Sequence, residues 1–542
     1  MQNENEGGGV NRRHFLELAA LGSALALAKP LSAVGQTSAA TSVTPELEEI
    51  TLGALQDGMA SGRWTARTIA EGYLGRIDAI DKRGPAINTI IELNPEALAI
   101  ADAMDRERKA GHVRGPLHGI PVVIKDNIDT ADRMATSAGS LALAENHAAR
   151  DAFVAARLRE AGAVILGKTN LSEWANFRST HSTSGWSGRG GLTKNPYVLD
   201  RNACGSSSGT GSAIAANLAA IGIGTETDGS VVCPSSASGL VGIKPTLGLI
   251  SRAGIIPIAH SQDTSGPMAR TVRDAATLLG VLTGADERDP VTVSSRTKGH
   301  SDYTRFLDAG GLKGARIGVA RQYFGFNDAT DKLMKDAIEL IKSLGATIVD
   351  PANIKTNGKF DATENDVLQY EFKTDLNTYL ASAPAAVKSR TLADLIKFNE
   401  EHRAQEMPFF GQEIFEQSEK RGPLTEKKYR DALAKNHRLA RTEGIDATLA
   451  KHKVDAIIAP TGGPVWATDL VNGDHFTGGY SSASAVAGYP HITVPAGLAF
   501  GLPVGLSFFG GAWSEPALIK FAYAFEQGAK ARQKPRFLPT AV

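Results

Sequence analysis

Two stretches of very small residues most restrict the folds open to this chain of 542 residues. Residues 208–220 and 231–239 consist largely of Gly, Ala, Ser and other small side chains, with the pattern of helices. An apolar strand pattern follows each of them, at residues 219–224 and 240–244. Helices with so little bulk pack closely at the centre of a molecule, because their backbones approach their neighbours without obstruction. These stretches therefore indicate a buried core of helices and strands.

Strand and helix patterns alternate along most of the remaining chain. Residues 314–350 have the pattern of a strand–helix–strand unit. This alternation predicts an α/β fold: a single large domain with a mixed, mostly parallel central β-sheet covered by helices. We predict that this domain spans residues 41–540. Residues 360–450 are mostly helical and polar in pattern, and are interpreted as a cap-like insertion that covers the functional site or forms one wall of it.

The N-terminus has the pattern of a targeting segment. Arg12 and Arg13 precede an apolar stretch, and a small-residue cleavage site follows at residues 31–33. This pattern resembles a twin-arginine export signal, and the alternative is a short amphipathic helix. We predict a signal peptide over residues 1–40, a mature chain that begins near Val34, and a periplasmic location. No later apolar run reaches transmembrane length, so no membrane association is expected after signal removal.

The composition argues against several classes of partner. Lys plus Arg and Asp plus Glu each number 58, and this balance gives no electrostatic reason to expect a nucleic acid partner. No zinc-type spacing, P-loop or dinucleotide fingerprint is present, so neither a metal nor a cofactor is predicted. Cys204 and Cys233 are the two cysteines. A disulfide and two buried thiols both remain open, as do a monomer and a homodimer.

Ser230 is the candidate nucleophile. It lies at a transition from strand to helix, directly after Thr227, Asp228 and Gly229. Backbone N–H groups of these four residues, helped by the helix N-terminus, are predicted to form an oxyanion hole. Taken alone, the segment more often means that a serine caps a helix.

Lys125 and Ser206 complete the candidate set. Lys125 ends the apolar strand pattern at residues 121–124, where loss of solvation lowers a lysine pKa and makes a neutral amine available as a base. The alternative is a lysine whose head reaches water or pairs with a nearby acid. Ser206 opens the first small-residue stretch and, taken alone, is a helix cap. Together the three residues supply a hydroxyl nucleophile, a hydroxyl proton relay and an amine base, which acyl transfer at an amide requires.

Taken together, these segments resemble the amidase signature family. The matching segments in this chain are residues 118–127, 204–212 and 224–230, with further matches at 167–170, 239–246, 263–270 and 459–461. The resemblance implies a Ser-cisSer-Lys triad. In it Lys125 is the base, Ser206 is the relay in a cis peptide, and Ser230 is the nucleophile. It also implies catalysis without a metal or an organic cofactor.

Residues 171–178 and 184–186 further resemble bacterial peptide amidases, which remove the C-terminal amide of peptides and release ammonia. The resemblance implies a small amide or an amidated peptide as substrate. One alternative is a glutamine amidase subunit of the amidotransferase type. The export signal argues against it, because transamidation of charged tRNA is cytoplasmic. Another alternative is a non-catalytic periplasmic binding protein on the same scaffold, against which the complete set of Lys125, Ser206 and Ser230 argues.

Overall fold

The computed structural model describes residues 46–541, which share a central sheet of 11 strands. The predicted signal peptide at residues 1–40 lies outside the described residues and stays a prediction. Among the helices of residues 46–541, none combines the length and the apolar character that crossing a bilayer requires.

Thirteen strands occur in the described part of the chain, eleven in the central sheet and two in a small hairpin. In chain order they are β1 (Ile90–Leu93), β2 (Pro121–Lys125), β3 (Val164–Thr169), β4 (Trp186–Ser187), β5 (Gly191–Leu192), β6 (Ile221–Glu226), β7 (Val241–Lys244), β8 (Thr264–Ala269), β9 (Arg316–Val319), β10 (Thr347–Val349), β11 (Ala456–Pro460), β12 (His491–Ala499) and β13 (Leu502–Phe509).

The central sheet is mixed, with the strand order β1-β3-β2-β6-β8-β7-β12-β13-β11-β9-β10. Strands β3, β2 and β6 run parallel on one flank, and β11, β9 and β10 run parallel on the other. This confirms the predicted α/β class. The middle of the sheet contains more antiparallel pairing than expected, because β7–β8 and β12–β13 follow one another without a crossover helix.

Helices cover this sheet and form the segment before β11. In chain order they are α1 (Leu52–Ala60), α2 (Ala66–Arg76), α3 (Ala97–Lys109), α4 (Phe153–Glu160), α5 (Ser208–Ala215), α6 (Val232–Ala237), α7 (Val272–Leu282), α8 (Ser295–Lys298), α9 (Asp328–Ser343), α10 (Asp361–Ala381), α11 (Leu392–Glu401), α12 (Arg403–Glu406), α13 (Glu413–Glu419), α14 (Lys427–His437), α15 (Asp446–His452), α16 (Ser482–Ala487) and α17 (Glu515–Ala529).

The two small-residue stretches form helices in the core. All residues of α5 are buried, as their lack of bulk predicted. The helix ends at Ala215, earlier than residue 220, because Asn217 takes a left-handed backbone conformation with φ of 59°. Strand β8 was not predicted from its pattern, since Gly266 and Pro267 are poor strand residues.

The predicted helical segment at 360–450 corresponds to α10–α15. Its helix α10 packs through Phe372, Leu376 and Leu380 into an apolar cluster that also contains Trp174 and Phe177. The segment is therefore attached to the domain by apolar burial near the strand ends of the first flank. Its status as a cap-like insertion remains a prediction.

Candidate active site

Strand β2 delivers Lys125 into the interior. The strand is buried throughout, and the Lys125 side chain is fully buried at its end. The Lys125 Nζ lies 2.7 Å from Ser206 Oγ, 2.9 Å from Thr225 Oγ1 and 3.2 Å from the Thr225 carbonyl oxygen. The amine and the first of the two predicted hydroxyl groups are therefore in direct contact.

Burial lowers the pKa of Lys125 to about 7, although the negative charges of Glu226 and Asp263 oppose this shift. Both carboxyls lie outside ion-pair distance of the amine, since no ion pair of Lys125 occurs within residues 46–541. At neutral pH a large fraction of the Lys125 side chain is therefore uncharged, and an uncharged amine can accept a proton from Ser206.

Backbone contacts fix Ser206 in front of the amine. The peptide bond between Gly205 and Ser206 is cis, and the Ser206 carbonyl accepts a hydrogen bond of 3.1 Å from the N–H of Ser172. A side chain at Gly205 would collide with Ser172 Oγ, 2.2 Å from the position of the missing Cβ. The small residues predicted for close approach are thus required here by contact with a neighbouring loop.

Ser230 lies in the turn between β6 and α6 and is 8% exposed. Gly229 adopts a φ of 78°, a left-handed conformation that favours glycine and allows this sharp turn. The backbone N–H groups of residues 227–230 donate no hydrogen bond to any residue that the structure describes. A row of N–H groups without partners beside a serine is what stabilisation of an oxyanion requires.

The structure does not join Ser206 and Ser230 through their side chains. Within residues 46–541, no hydrogen bond connects the two Oγ atoms. Their segments meet instead through the backbone, where the N–H of Ser207 donates a 3.2 Å hydrogen bond to the Ser230 carbonyl. A disulfide between Cys204 and Cys233 links the same segments, which decides between the two states that the sequence left open.

Other residues around the amine were not singled out from the sequence. Asn127 Nδ2 donates to Thr225 Oγ1 at 3.0 Å, so both side chains order the surroundings of Lys125. Glu226 Oε2 accepts from the N–H groups that begin α6, at 2.8 and 3.1 Å, and so caps the helix that follows Ser230. Asn127 and Glu226 lie inside the matching segments at residues 118–127 and 224–230. Their closeness in sequence to Lys125 and Ser230 was the signal available in the sequence.

Asp263 supports the predicted oxyanion segment from behind. It accepts a 2.6 Å hydrogen bond from Thr227 Oγ1 and two more from the N–H groups of Ile258 and Ala259. Burial raises the pKa of Asp263 to about 6, and these hydrogen bonds limit the rise. The carboxylate therefore fixes Thr227 most firmly above that pH.

A cavity of about 430 Å³ opens beside this cluster. Thr225 and Thr227 line one side, and Tyr379 and Thr378 of α10 line another. Lys125, Ser206 and Ser230 themselves do not line it, but Thr225, which contacts Lys125, does. The volume is within the range of small-molecule sites. Helix α10 therefore forms one wall of this cavity, and the role of the whole helical segment at the functional site stays a prediction.

One group at the cavity has the chemistry of metal ligands. Donor atoms of His260, Glu371 and Asp375 lie within 4.8 Å of one another. They are already paired, because His260 Nδ1 contacts Asp375 at 2.8 Å and its Nε2 contacts Glu371 at 3.4 Å. Burial opposes a charged imidazole, but the hydrogen bond to Asp375 and the two negative charges outweigh it and raise the pKa of His260. The cluster links α10 to the loop before β8 through side-chain contacts.

Comparison with known proteins gives the family. The family model described as Amidase matches residues 68–519. The chain belongs to the amidase family. A probable amidase of Arabidopsis thaliana is 42% identical over 508 residues, which are 92% of this chain and 93% of the relative. This amidase is a hydrolase that acts on amide C–N bonds.

Two further comparisons bear on the type of amidase. The crystal structure of native peptide amidase from Stenotrophomonas maltophilia has 49% sequence identity and a TM-score of 0.86, and the match covers 91% of this amidase and 99% of that chain. A glutamyl-tRNA(Gln) amidotransferase subunit of Alkalilimnicola ehrlichii is 34% identical over 504 residues, covering 89% of this amidase and 97% of the relative. The likeness therefore extends over nearly the whole described chain.

Proposed function

We propose that this amidase hydrolyses carboxamides, the C-terminal amides of peptides above all, through an ester formed on Ser230. One observation carries the proposal: the buried Lys125 Nζ lies 2.7 Å from Ser206 Oγ, on a segment that meets the segment of Ser230. The 49% identity with a peptide amidase over 91% of the chain supports the peptide substrate. The adjacent cavity is large enough for the C-terminal part of a peptide.

In the proposed first half-reaction, uncharged Lys125 accepts the proton of Ser206 as Ser206 accepts that of Ser230. The Ser230 Oγ forms a bond to the carbonyl carbon, and the N–H groups of residues 227–230 stabilise the oxygen that becomes negative. Return of a proton to the nitrogen breaks the C–N bond and releases ammonia. Ser230 Oγ must come within hydrogen-bond distance of Ser206 Oγ when substrate binds, because catalytic hydrogen bonds often tighten only in that complex.

In the second half-reaction, water attacks the ester carbonyl and gives up its proton through Ser206 to Lys125. The ester bond breaks, Ser230 recovers its proton and the carboxylate product leaves. The pKa of Lys125 near 7 allows the amine both to accept a proton from Ser206 and to return it, because the charged and uncharged forms are both populated at neutral pH.

The test is ammonia release across a panel of amidated dipeptides, simple aliphatic amides, aryl amides and free glutamine. We expect kcat/KM to be highest for amidated dipeptides. A preference for free glutamine would support the amidotransferase-type alternative, which the relative at 34% identity also favours. No ammonia release from any amide, together with no labelling of Ser230 by a fluorophosphonate probe, would contradict the proposal and favour a binding protein.

We also propose that residues 1–40 direct export to the periplasm. The disulfide between Cys204 and Cys233 supports this location, because disulfides persist in oxidising compartments. Replacement of both Arg12 and Arg13 by lysine should retain the protein in the cytoplasm of a bacterial host, as measured by fractionation. Unchanged export of that variant would contradict a twin-arginine route.

A further inference from the structure

The two segments that carry the catalytic hydroxyl groups are covalently joined. Cys204 precedes Ser206 by two positions, and Cys233 follows Ser230 by three. Their sulfur atoms form a disulfide, and their Cα atoms lie 6.0 Å apart. The bond therefore connects the segment of the proposed relay to the helix that follows the proposed nucleophile.

One direct hydrogen bond joins residues 204–208 to residues 229–233 in the described structure, from the N–H of Ser207 to the Ser230 carbonyl. Ser207 Oγ is also hydrogen-bonded to the backbone of Thr225 in β6, five positions before Ser230. The two Oγ atoms are not hydrogen-bonded to each other. The distance that a proton must cross therefore depends on how firmly the two backbones are held together.

Both ends of the disulfide are anchored close to the serines. The N–H of Cys204 donates to Asn202 Oδ1 at 2.7 Å, and the residue adopts a φ of 52°, which residues with a side chain seldom adopt. The N–H of Cys233 donates to the carbonyl of Gly229 at 2.8 Å, within the turn of the proposed oxyanion hole. Because both cysteines are held by these hydrogen bonds, the disulfide restricts the movement of the neighbouring serine segments relative to each other.

We propose that the disulfide between Cys204 and Cys233 is a positioning element of the active site. It holds Ser206 and Ser230 at the separation that proton transfer requires, and its reduction slows formation of the ester. Reduction by a dithiol breaks the S–S bond, adds two electrons and two protons to give two thiols, and converts the dithiol to its cyclic disulfide. The inference rests on the proposed roles of Ser206 and Ser230.

The location of the bond determines which kinetic constant should change. Neither cysteine lines the 430 Å³ cavity, so substrate binding does not depend on them directly. Cys233 is partly exposed, which gives a reductant access to the bond from that side. Reduction should therefore lower kcat and leave KM nearly unchanged.

The experiment compares the oxidised protein, the protein reduced with dithiothreitol, and the variant C204S/C233S. Thiol content is verified by mass after alkylation of a denatured sample. For each state, kcat and KM are measured on one amide that the protein hydrolyses, together with the rate at which a fluorophosphonate labels Ser230. We expect reduction to lower kcat and the labelling rate about tenfold or more, with KM within about twofold, and reoxidation to restore both. The C204S/C233S variant should be equally slow and insensitive to dithiothreitol.

Ile317→Val is the matched control, because shortening a buried side chain lowers stability. Ile317 lies in β9, which is separated by several strands of the sheet from β6, the strand that precedes Ser230. The substitution should lower Tm and leave kcat unchanged. If reduction or C204S/C233S lowers Tm while kcat stays within about twofold, the disulfide only stabilises the fold and the inference is wrong. If the double variant does not fold, the kcat of the reversibly reduced protein tests the inference. If reduction is incomplete, the kcat of the double variant tests it. Absence of labelling in the oxidised protein would instead contradict the proposed nucleophile, on which the inference rests.

Discussion

The candidate catalytic region and the helical segment α10–α15 differ in burial and in the size and polarity of their side chains. In the first, β2, α5 and β6 are buried at every position, and small side chains allow the backbones to approach closely. In the second, long polar helices keep one side in solvent, and Thr378 of α10 is exposed where it lines the cavity. The candidate catalytic side chains therefore lie where close packing limits movement. The wall of the adjacent cavity carries exposed side chains that can be substituted with less effect on the core.

The largest effect should come from the candidate catalytic region. Ser230→Ala should reduce kcat about 10⁴-fold, because it removes the oxygen that forms the ester in the proposed reaction. The measurement is ammonia release with the best amide of the panel. Ser235→Ala in α6 is the matched control, since Ser235 is also buried and its hydroxyl has no partner within residues 46–541. Near-normal turnover by the Ser230 variant would show that Ser230 is not the nucleophile, and the candidate catalytic region would then no longer differ from α10–α15 in its importance for kcat.

Lys125 gives the next effect and a pH dependence. Lys125→Met should lower kcat about 10³-fold, and Lys125→Arg should not rescue it, because a guanidinium remains protonated. In the unaltered protein, only the uncharged amine is active, so kcat/KM should rise with pH and level off above the lysine pKa of about 7. The profile is measured from about pH 5 to about pH 9. Activity that stays flat down to the acidic end of that range would show that Lys125 is not the base.

The wall of the cavity should respond differently. Thr378→Trp adds bulk at an exposed position of α10, and should raise KM for amidated peptides about tenfold while kcat for a two-carbon amide stays within about twofold. Lys397→Trp on α11 is the matched control, because its side chain is 75% exposed and does not line the cavity. Equal KM changes in both variants would mean that the cavity is not where peptides bind.

The smallest effect should come from a helix cap remote from the chemistry. Thr391 and Asp394 form a capping box at the start of α11. Thr391→Ala should lower the free energy of unfolding by about 1 kcal/mol and leave kcat and KM unchanged. The measurement is the midpoint of urea denaturation. A loss of activity without a loss of stability would show that this segment is coupled to catalysis more tightly than its polar helices suggest.

Many elements of the fold follow from local pattern. The apolar strand ending in Lys125, the small-residue helices α5 and α6, and the polar helices of residues 361–452 are all present. Strand β8 was missed, because Gly266 and Pro267 break the strand pattern while neighbouring strands of the sheet supply the hydrogen bonds.

The sequence by itself determined which chemical groups are available, an amine on a buried strand and two serines among small residues, because residue type and apolar periodicity are local properties. Only the tertiary structure decided which groups touch. Lys125 contacts Thr225 because β2 and β6 are parallel neighbours with Ile124 opposite Ile223, a register that no local pattern specifies. Long-range contacts of this kind also set the pKa of Lys125 and the hydrogen bond by which Asp263 holds Thr227. They also leave the two serine hydroxyls without a hydrogen bond to each other in the described structure.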